Sequence, residues 1–504
     1  MDYIDKFLDK ISMYRVVIYS LLGILVYSFL LTMVGIISIK PIALLATLAV
    51  IVFTATITHY FFRLLYNAPA NYESSLITAL LLTTIIRPTT EISGLVAVAC
   101  VTVFAICSKY LISYKNKHIF NPTAISLVVF GLFGFGGAVW WAGSKFVLPV
   151  AAVALFFIAR KTCKTEMVII YIMTSVIVGS LVGLTDGRSI VSTVVQHIIS
   201  WPTILFGIML TEPLATPPTE TKKRIYAVLV GAISSISFSV GPLFSTPELA
   251  LVIGNLFSYI VGAKERVTLV LSRKIEIAKD TFELVFTKQG GINHIAGQYM
   301  EWTLPHDHPD NRGVRRCFTI SSAPHDSEVR LGIKVFEKGS SFKNTLINLP
   351  IGSMVYGVNP AGDFILPHSK SKRVVWIAGG IGVTPFASQM RDLINKNEKR
   401  DITLFYANKT EAEIGYVKLI DEARMRIGMK YVSVLADKTQ LSVGWIGESG
   451  FIDKPMLDRH LKDIPNYVYY ISGPQGMVES YKKILSDSGV PNKNIITDYF
   501  PGFV

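Results

Sequence analysis

The feature that most constrains this chain is where its charges are missing. Long uncharged apolar runs fill the sequence up to about residue 263, and the remainder mixes charges, turns and alternating strands. A helix needs about 20 mostly apolar residues to cross the hydrocarbon core of a bilayer. Clear candidates lie near 15–37, 41–62, 92–113, 145–160 and 166–185, with shorter ones near 75–86, 121–136, 196–212, 226–243 and 248–263. A multi-pass α-helical membrane domain over 1–263 is therefore expected, with about ten crossings. The 504 residues leave room for one or two further domains.

Loop charges orient the spans, because Lys and Arg concentrate on the cytoplasmic side. With the N-terminus inside, the inner segments hold Arg63, then Lys109, Lys115 and Lys117, then Arg160, Lys161 and Lys164, then Lys222, Lys223 and Arg224. The outer loops keep Lys40, Arg87, Lys145 and Arg188, so both ends are expected to be cytoplasmic. The same loops account for the net charge of +13, and no block of interleaved Arg and aromatics points to nucleic acid. The first apolar run is too long for a cleavable signal peptide.

Cys100, Cys107, Cys163 and Cys317 are scattered singly, without the thiolate spacing of an iron–sulfur cluster. His59, His118 and His197 are never paired along a helix, which speaks against stacked haems. Several spans are short and carry Pro or polar groups at their ends: Asn121-Pro122, Trp201-Pro202 and Thr211-Glu212-Pro213. Irregular backbone at membrane depth is tolerated where it is buried in protein or lines a cavity. Asn121, Thr211 and Glu212 are thus candidates for an ion or flavin site, while simple helix ends at the interface remain the plainer reading.

The stretches SSLITALLL, HIFNPTA and MLTEPLATPPTETKKRIYAVLVGA resemble the RnfD/NqrB family, the membrane subunit shared by the Rnf complex and the sodium-pumping NADH:quinone oxidoreductase. The resemblance covers most of 1–263 and implies a prokaryotic plasma membrane. Members carry FMN as a phosphoester on the Thr of an extracytoplasmic Asp-x-x-Ser-Gly-Ala-Thr motif. The matching loop here runs Asp186-Gly-Arg-Ser189-Ile-Val-Ser192-Thr193, so Ser192 stands where the acceptor falls, with Thr193 beside it. Ile190-Val191 replaces the Gly-Ala pair, which leaves covalent, non-covalent and absent flavin all open.

From Arg266 the pattern alternates through VTLVLSRKIEIAKDTFELVFTK, HIAGQYMEWTLP and EVRLGIKVFEKG, the period of antiparallel strands in a small barrel. After Lys372 it becomes apolar strand, Gly-rich turn, helix and strand, a βα unit of a parallel sheet. The expected domains are a barrel over 264–368 and an α/β domain over 369–504. In Arg316-Cys317-Phe318-Thr319, a guanidinium can grip a pyrophosphate bidentately, an aromatic can pack on a flavin ring, and a hydroxyl can donate to it. Gly339-Ser340-Ser341 precedes a helix, where backbone N–H groups meet phosphate. Gly379-Gly380-Ile-Gly382-Val-Thr384-Pro385 joins a buried strand to a helix N-terminus, with glycines where a nucleotide must come close.

In this order, with Gly357, Pro360, Gly362 and Asp363 between them, the motifs resemble the ferredoxin–NADP⁺ reductase superfamily over the whole of 266–504. The resemblance implies an FAD held by Arg316, Phe318, Thr319, Gly339, Ser340 and Ser341. It implies NAD(P)H at Gly379, Gly380, Gly382, Thr384 and Pro385, and at Gly473, Pro474 and Met477 of the Cys-Gly-Pro-x-x-Met-like segment. In that segment Ser472 replaces Cys. Thr319, Thr384 and Ser472 fall along the hydride path. Phe500, in the ending ITDYFPGFV, either covers the flavin or nicotinamide or packs as core. Lys409 after the second parallel strand is a single basic residue, a pattern that leans to NADH over NADPH.

The combined expectation is a membrane flavoprotein oxidoreductase. It would carry electrons from cytoplasmic NAD(P)H through FAD, with or without a second flavin, to a quinone or an extracytoplasmic redox partner, with coupling to ion movement open. Its rivals are a transporter or channel regulated by an NAD(P)H/FAD domain and, more remotely, a haem-containing reductase like the ferric reductases.

Overall fold

The structure is a computed structural model. It describes residues 4–499 apart from 5–6, 9, 67–71, 115–116, 135–136, 196–202, 214, 242, 263–265, 311–312, 337–338, 438 and 440. The chain forms two compact units, Met1–Lys264 and Glu265–Val504. Phe500, His197, Trp201 and Pro202 lie outside the described residues.

The first unit is helical. Among the described residues, four helices are long and apolar enough to cross a membrane: Met13–Met33, Pro41–Tyr66, Ile92–Leu111 and Thr165–Thr185. Shorter apolar helices span Tyr72–Ile85, Pro122–Leu132 and Pro247–Val261. The segment expected near 145–160 is the 14-residue helix Leu148–Lys161. At 1.5 Å per residue it covers only about 21 Å. Pro149 opens it, and Cys163, with a left-handed φ of 55°, turns the chain after it. The stretch expected near 226–243 starts earlier, as helix Glu220–Ser235, and then gives way to a two-residue strand pair, Ser239–Val240 with Leu243–Phe244.

Local signals set these boundaries. Asn121 caps helix Pro122–Leu132, its side chain accepting from Ala124 N at 3.0 Å with Pro122 in the first turn. Thr246 caps Pro247–Val261 in the same way, accepting from Leu249 N at 3.2 Å. Leu21, Ile24, Ile51, Leu82, Tyr171, Phe206 and Tyr226 form the buried centre. Phe53, Leu64, Met173 and Leu181 face outward on the long helices.

In the second unit, β1 (Arg266–Ala278), β2 (Thr281–Gln289), β3 (Tyr299–Thr303), β4 (Arg315–Thr319), β5 (Glu328–Lys334) and β6 (Met354–Ala361) form one antiparallel sheet in the order β4-β3-β6-β1-β2-β5. Ser321 N donates to Arg330 O at 2.9 Å and draws its two edges together. Leu269, Leu271, Phe286, Trp302, Leu331 and Phe342 fill the interior, which is what the period-2 pattern demands. Helix α1 (Ser341–Asn348) covers one end.

A parallel sheet follows. Its strands β7 (Val374–Gly379), β8 (Ile402–Asn408), β9 (Lys430–Leu435), β10 (Glu448–Ser449), β11 (Val468–Gly473) and β12 (Ile495–Tyr499) run in the order β10-β9-β8-β7-β11-β12. Helices α2 (Thr384–Asn395), α3 (Val417–Ile427), α4 (Lys454–His460) and α5 (Gln475–Asp487) lie between its strands in sequence. β7 and β11 run buried throughout, as expected of parallel strands covered on both faces. The strand order reverses between β7 and β11, and ligands of open α/β sheets bind beyond the carboxyl ends at such a point.

Candidate functional site

β7 ends at Gly379 and passes through a single 3₁₀ turn, Gly380–Val383, into α2. Gly380 has a left-handed φ of 53°. A Cβ on Gly379 would stand 2.3 Å from Met477 Sδ, and one on Gly382 would stand 2.2 Å from the Ser472 carbonyl oxygen. The glycines therefore let this turn lie directly against the end of β11 and the start of α5. Pro385 fits the first turn of α2, where no N–H is needed, and Pro474 precedes α5.

A cleft of about 350 Å³ opens beside these turns, the size of a small-molecule site. Gly379, Gly380, Gly473, Pro474 and Met477 line it, together with Lys334, Phe336, Asn408, Lys409, Glu413 and Phe451. Gly382, Thr384, Pro385 and Ser472 lie behind this wall. Thr384 sits at the junction with the barrel, because a Cβ on Gly332 of β5 would meet both Thr384 Cγ2 and the Tyr416 hydroxyl at 2.5 Å. Its hydroxyl donates to Ile381 O at 3.1 Å.

The barrel motif meets the serine loop. Arg316 Nη2 donates to Asp310 Oδ1 at 2.8 Å, and Ser341 N donates to Asp310 Oδ2 at 3.2 Å. Asp310 N donates in return to Ser341 Oγ at 2.9 Å. One carboxylate thus joins the guanidinium to the first turn of α1, where a phosphate-sized anion finds its donors. Ser340 caps that helix through Lys343 N at 3.2 Å. A Cβ on Gly339 would stand 2.9 Å from Phe336 O, so the loop admits no side chain there. The half-buried Phe318 ring lies 5.7 Å from that of Phe342.

Two hydroxyls are the clearest test of what the site can hold. Thr319 Oγ1 and Ser472 Oγ are buried at 3% and 0% residue exposure and have no hydrogen-bond partner among the described residues. A buried polar atom without a partner costs about 1–3 kcal/mol, and natural structures keep few. Of the three residues that the motifs place along a hydride path, Thr319 and Ser472 are left without a partner among the described residues, whereas Thr384 donates to Ile381 O. The donor set, the glycine cradle and these orphans fit a flavin and a dinucleotide.

Behind the junction, Arg391 of α2 donates to both oxygens of Glu283 at 3.0 and 3.1 Å, and Arg330 of β5 donates to Glu283 Oε2 at 2.9 Å. Burial, and then the Glu283 carboxylate, push the Tyr416 hydroxyl well above its ordinary range, so it stays protonated. Lys334 Nζ bonds Glu413 at 2.7 Å along the cleft wall. Asp310, Glu283, Arg391, Lys334 and Asn408 are additions that no motif announced.

In the first unit the structure brings Asn121 and Glu212 together, with Asn121 Nδ2 donating to Glu212 Oε2 at 2.7 Å. His118 Nε2 lies 2.9 Å from Glu212 Oε1. Thr211 contributes its carbonyl rather than its hydroxyl, accepting from Lys164 Nζ at 2.7 Å, and Lys164 also donates to Thr216 Oγ1 at 2.6 Å. Asn255 Oδ1 accepts from Asn121 N at 2.8 Å. His59 Nδ1 is engaged by Ser75 and Tyr110. Ser192 is exposed, whereas Thr193 is buried against Gly183 with its hydroxyl on Ser189 O at 3.0 Å.

Residues 376–483 match the oxidoreductase NAD-binding domain family. The second unit carries an oxidoreductase NAD-binding domain. The chain is similar to the flavohemoprotein of Candida albicans, 24% identical over 201 residues that make up 39% of this chain and 49% of that protein. It is also similar to one component of the Na(+)-translocating NADH-quinone reductase of Pseudomonas aeruginosa, 26% identical over 39% of this chain and 47% of that one. Among solved structures, the FAD/NAD binding domain of nitric oxide dioxygenase from Vibrio cholerae aligns with a TM-score of 0.41 and 22% identity, covering 46% of this chain and 98% of that one. The chain spans about half the length of the curated relatives it matches.

Proposed function

We propose that this chain is a membrane flavoprotein that takes electrons from cytoplasmic NADH onto FAD and delivers them to an acceptor in or across a prokaryotic plasma membrane. The observation that carries the reading is the glycine-walled cleft beyond the carboxyl ends of β7 and β11, with the buried Ser472 hydroxyl behind its wall and the buried Thr319 hydroxyl at the end of the barrel motif. When bound, FAD supplies two-electron acceptance from the nicotinamide and one-electron release. Arg316 and the first turn of α1 hold its pyrophosphate, Phe318 packs on its ring system, and Thr319 offers it a hydroxyl. Gly379, Gly380, Gly473 and Pro474 admit the dinucleotide, and Thr384 and Ser472 shape the far side of its path.

NADH is favoured over NADPH by charge. Asp437 N donates to Lys409 O at 3.3 Å, so an acid stands beside the lysine that follows β8. The Thr439 hydroxyl holds the Asp437 carboxyl below its ordinary range, and the ionised group repels a 2′-phosphate.

The membrane reading is supported by four helices of spanning length and by the outward apolar side chains on them. Ten crossings with both termini cytoplasmic agree with the loop charges. The exposed Ser192 hydroxyl is the one of the two candidates open to FMN attachment, and a quinone or an extracytoplasmic protein is the acceptor. The half-buried His118–Glu212–Asn121 group favours a second reading, in which the first unit moves an ion or solute under control of the reductase module.

The full chain purified in detergent is the test. It should carry one FAD whose absorption NADH bleaches, and it should reduce a quinone; mass spectrometry then asks for FMN on the Ser192 peptide. Flavin that NADH leaves oxidised would overturn the reductase reading. Reduced FAD with no onward transfer would move the choice to the transporter. Electron transfer in proteoliposomes without an ion gradient or uptake would remove ion coupling.

A further inference from the structure

One face of α2 carries both the end of the nucleotide turn and a seam that joins the α/β part of the second unit to its barrel. Thr384, Ser388, Arg391 and Asn395 recur at the spacing of a single helix face, and each meets the barrel. Thr384 Cγ2 comes within 2.5 Å of where a Cβ on Gly332 of β5 would stand. Ser388 Oγ donates to Ser322 O at 2.7 Å, Arg391 Nη1 to Ser321 O at 2.5 Å, and Asn395 Nδ2 to Asp326 Oδ1 at 3.0 Å. The receiving segment begins just past Thr319, the last residue of β4. Arg391 stands only about 10 Å along the helix from Thr384. The seam therefore ties the nicotinamide-side turn to the flavin-side strand through very little intervening backbone.

Glu283 is at its centre. It lies directly opposite Gly332 in the antiparallel ladder, so its side chain shares a face with the bare spot that Thr384 fills. Arg391 Nη2 donates to both Glu283 oxygens at 3.0 and 3.1 Å, Arg330 Nη1 donates to Oε2 at 2.9 Å, and Ser321 Oγ donates to Oε1 at 3.3 Å. One guanidinium thus grips a carboxylate on β2 and a carbonyl beyond β4 at once, which a planar fork can do and a point-like ammonium cannot. It also lies 5.6 Å from the ring of Tyr416, whose hydroxyl shares the space beside Gly332 with Thr384.

The side chains of Glu283 and Arg391 are 4% and 15% exposed. A pair this deep adds little net stability, because desolvation offsets the attraction. What it supplies is a single geometry. Hydride transfer is sensitive to geometry, since a displacement of about 1 Å can cost roughly 100-fold in rate. In that step the hydride leaves C4 of NADH, which becomes NAD⁺, and its two electrons reduce FAD to FADH⁻.

We propose that Glu283 and Arg391 are positioning residues that lock Thr384 and the nucleotide turn against the flavin-side strand, setting the rate of hydride transfer and not the affinity for either cofactor. The proposal rests on the cleft being the pyridine-nucleotide site and the barrel motif the FAD site.

Anaerobic stopped-flow reduction of the FAD-loaded full chain by NADH tests it, with FAD content and NAD⁺ affinity measured alongside. The variants are Arg391→Lys and the double variant Glu283→Gln with Arg391→Met. R391K keeps the charge but cannot reach Glu283 and Ser321 together. The double variant removes both charges at similar volume and leaves neither partner as an unpaired buried ion. In both, the limiting rate at saturating NADH should fall about 10- to 100-fold, while FAD content and NAD⁺ affinity stay at wild-type values. A limiting rate unchanged in either variant would overturn the proposal and leave both cofactor sites in place. So would a loss of FAD or of NAD⁺ affinity that accounts for the lost rate, because the pair would then serve folding or binding. Wild-type FAD that NADH leaves oxidised would overturn the site reading and this proposal with it.

Discussion

Thr319→Val puts the flavin reading to a thermodynamic test. The Thr319 hydroxyl is buried and unpartnered among the described residues, a condition that costs about 1–3 kcal/mol. Valine keeps the shape and drops the hydroxyl, so the FAD-free variant should be more stable by about that amount. For a unit the size of Glu265–Val504 this corresponds to a rise in Tm of roughly 2–12 °C. Saturating FAD reverses the comparison, because the wild-type hydroxyl then acquires its partner and valine has none to gain. The rise in Tm that FAD brings should therefore be smaller in the variant by a similar margin. Differential scanning fluorimetry of the full chain, with and without FAD, measures both legs. Stopped-flow reduction by NADH should also slow by about 5- to 30-fold, the rate equivalent of about 1–2 kcal/mol. A variant less stable than wild type without FAD, and stabilised equally by FAD, would refute the reasoning: the hydroxyl would then belong to the fold and not to a ligand.

Gly382→Ala should be more damaging than Gly380→Ala. A Cβ at 382 stands 2.2 Å from the Ser472 carbonyl oxygen, whereas at 380 it meets nothing within 4 Å and costs only its left-handed φ. A fall in NAD⁺ affinity for G382A but not G380A, measured by calorimetry, checks this. Asp310→Asn weakens the carboxylate that occupies both the Arg316 and Ser341 donors, so FAD Kd should fall by roughly tenfold. A rise in Kd would show that Asp310 serves to orient Arg316. Burial lowers the His294 pKa, so the native chain keeps the ring neutral while the unfolded chain protonates it below about 6.5. The unfolded state binds the extra proton, and stability should therefore fall as pH drops below that value until the lowered native pKa is passed. Tm measured from pH 7 to 5 should show this slope, flattened in His294→Gln.

What could be read from the sequence and what could not divide along one physical line. The turn after β7 was legible because its glycines answer a local demand: Met477 and Ser472 leave no room for a Cβ at 379 and 382. The barrel strands were legible because a half-buried strand repeats every two residues. Helix lengths in the first unit were less so, since hydropathy does not register that Pro149 and Cys163 cut one helix to 14 residues. The polar group around Glu212 could be suspected only one residue at a time, because its partners His118 and Asn121 lie 94 and 91 positions away. Asp310 and Lys164 stayed hidden for a related reason: their donors and acceptors are met inside the chain, and a satisfied polar residue leaves no composition signal. Thr319 and Ser472 are the converse, recognisable by motif and left unsatisfied by the fold.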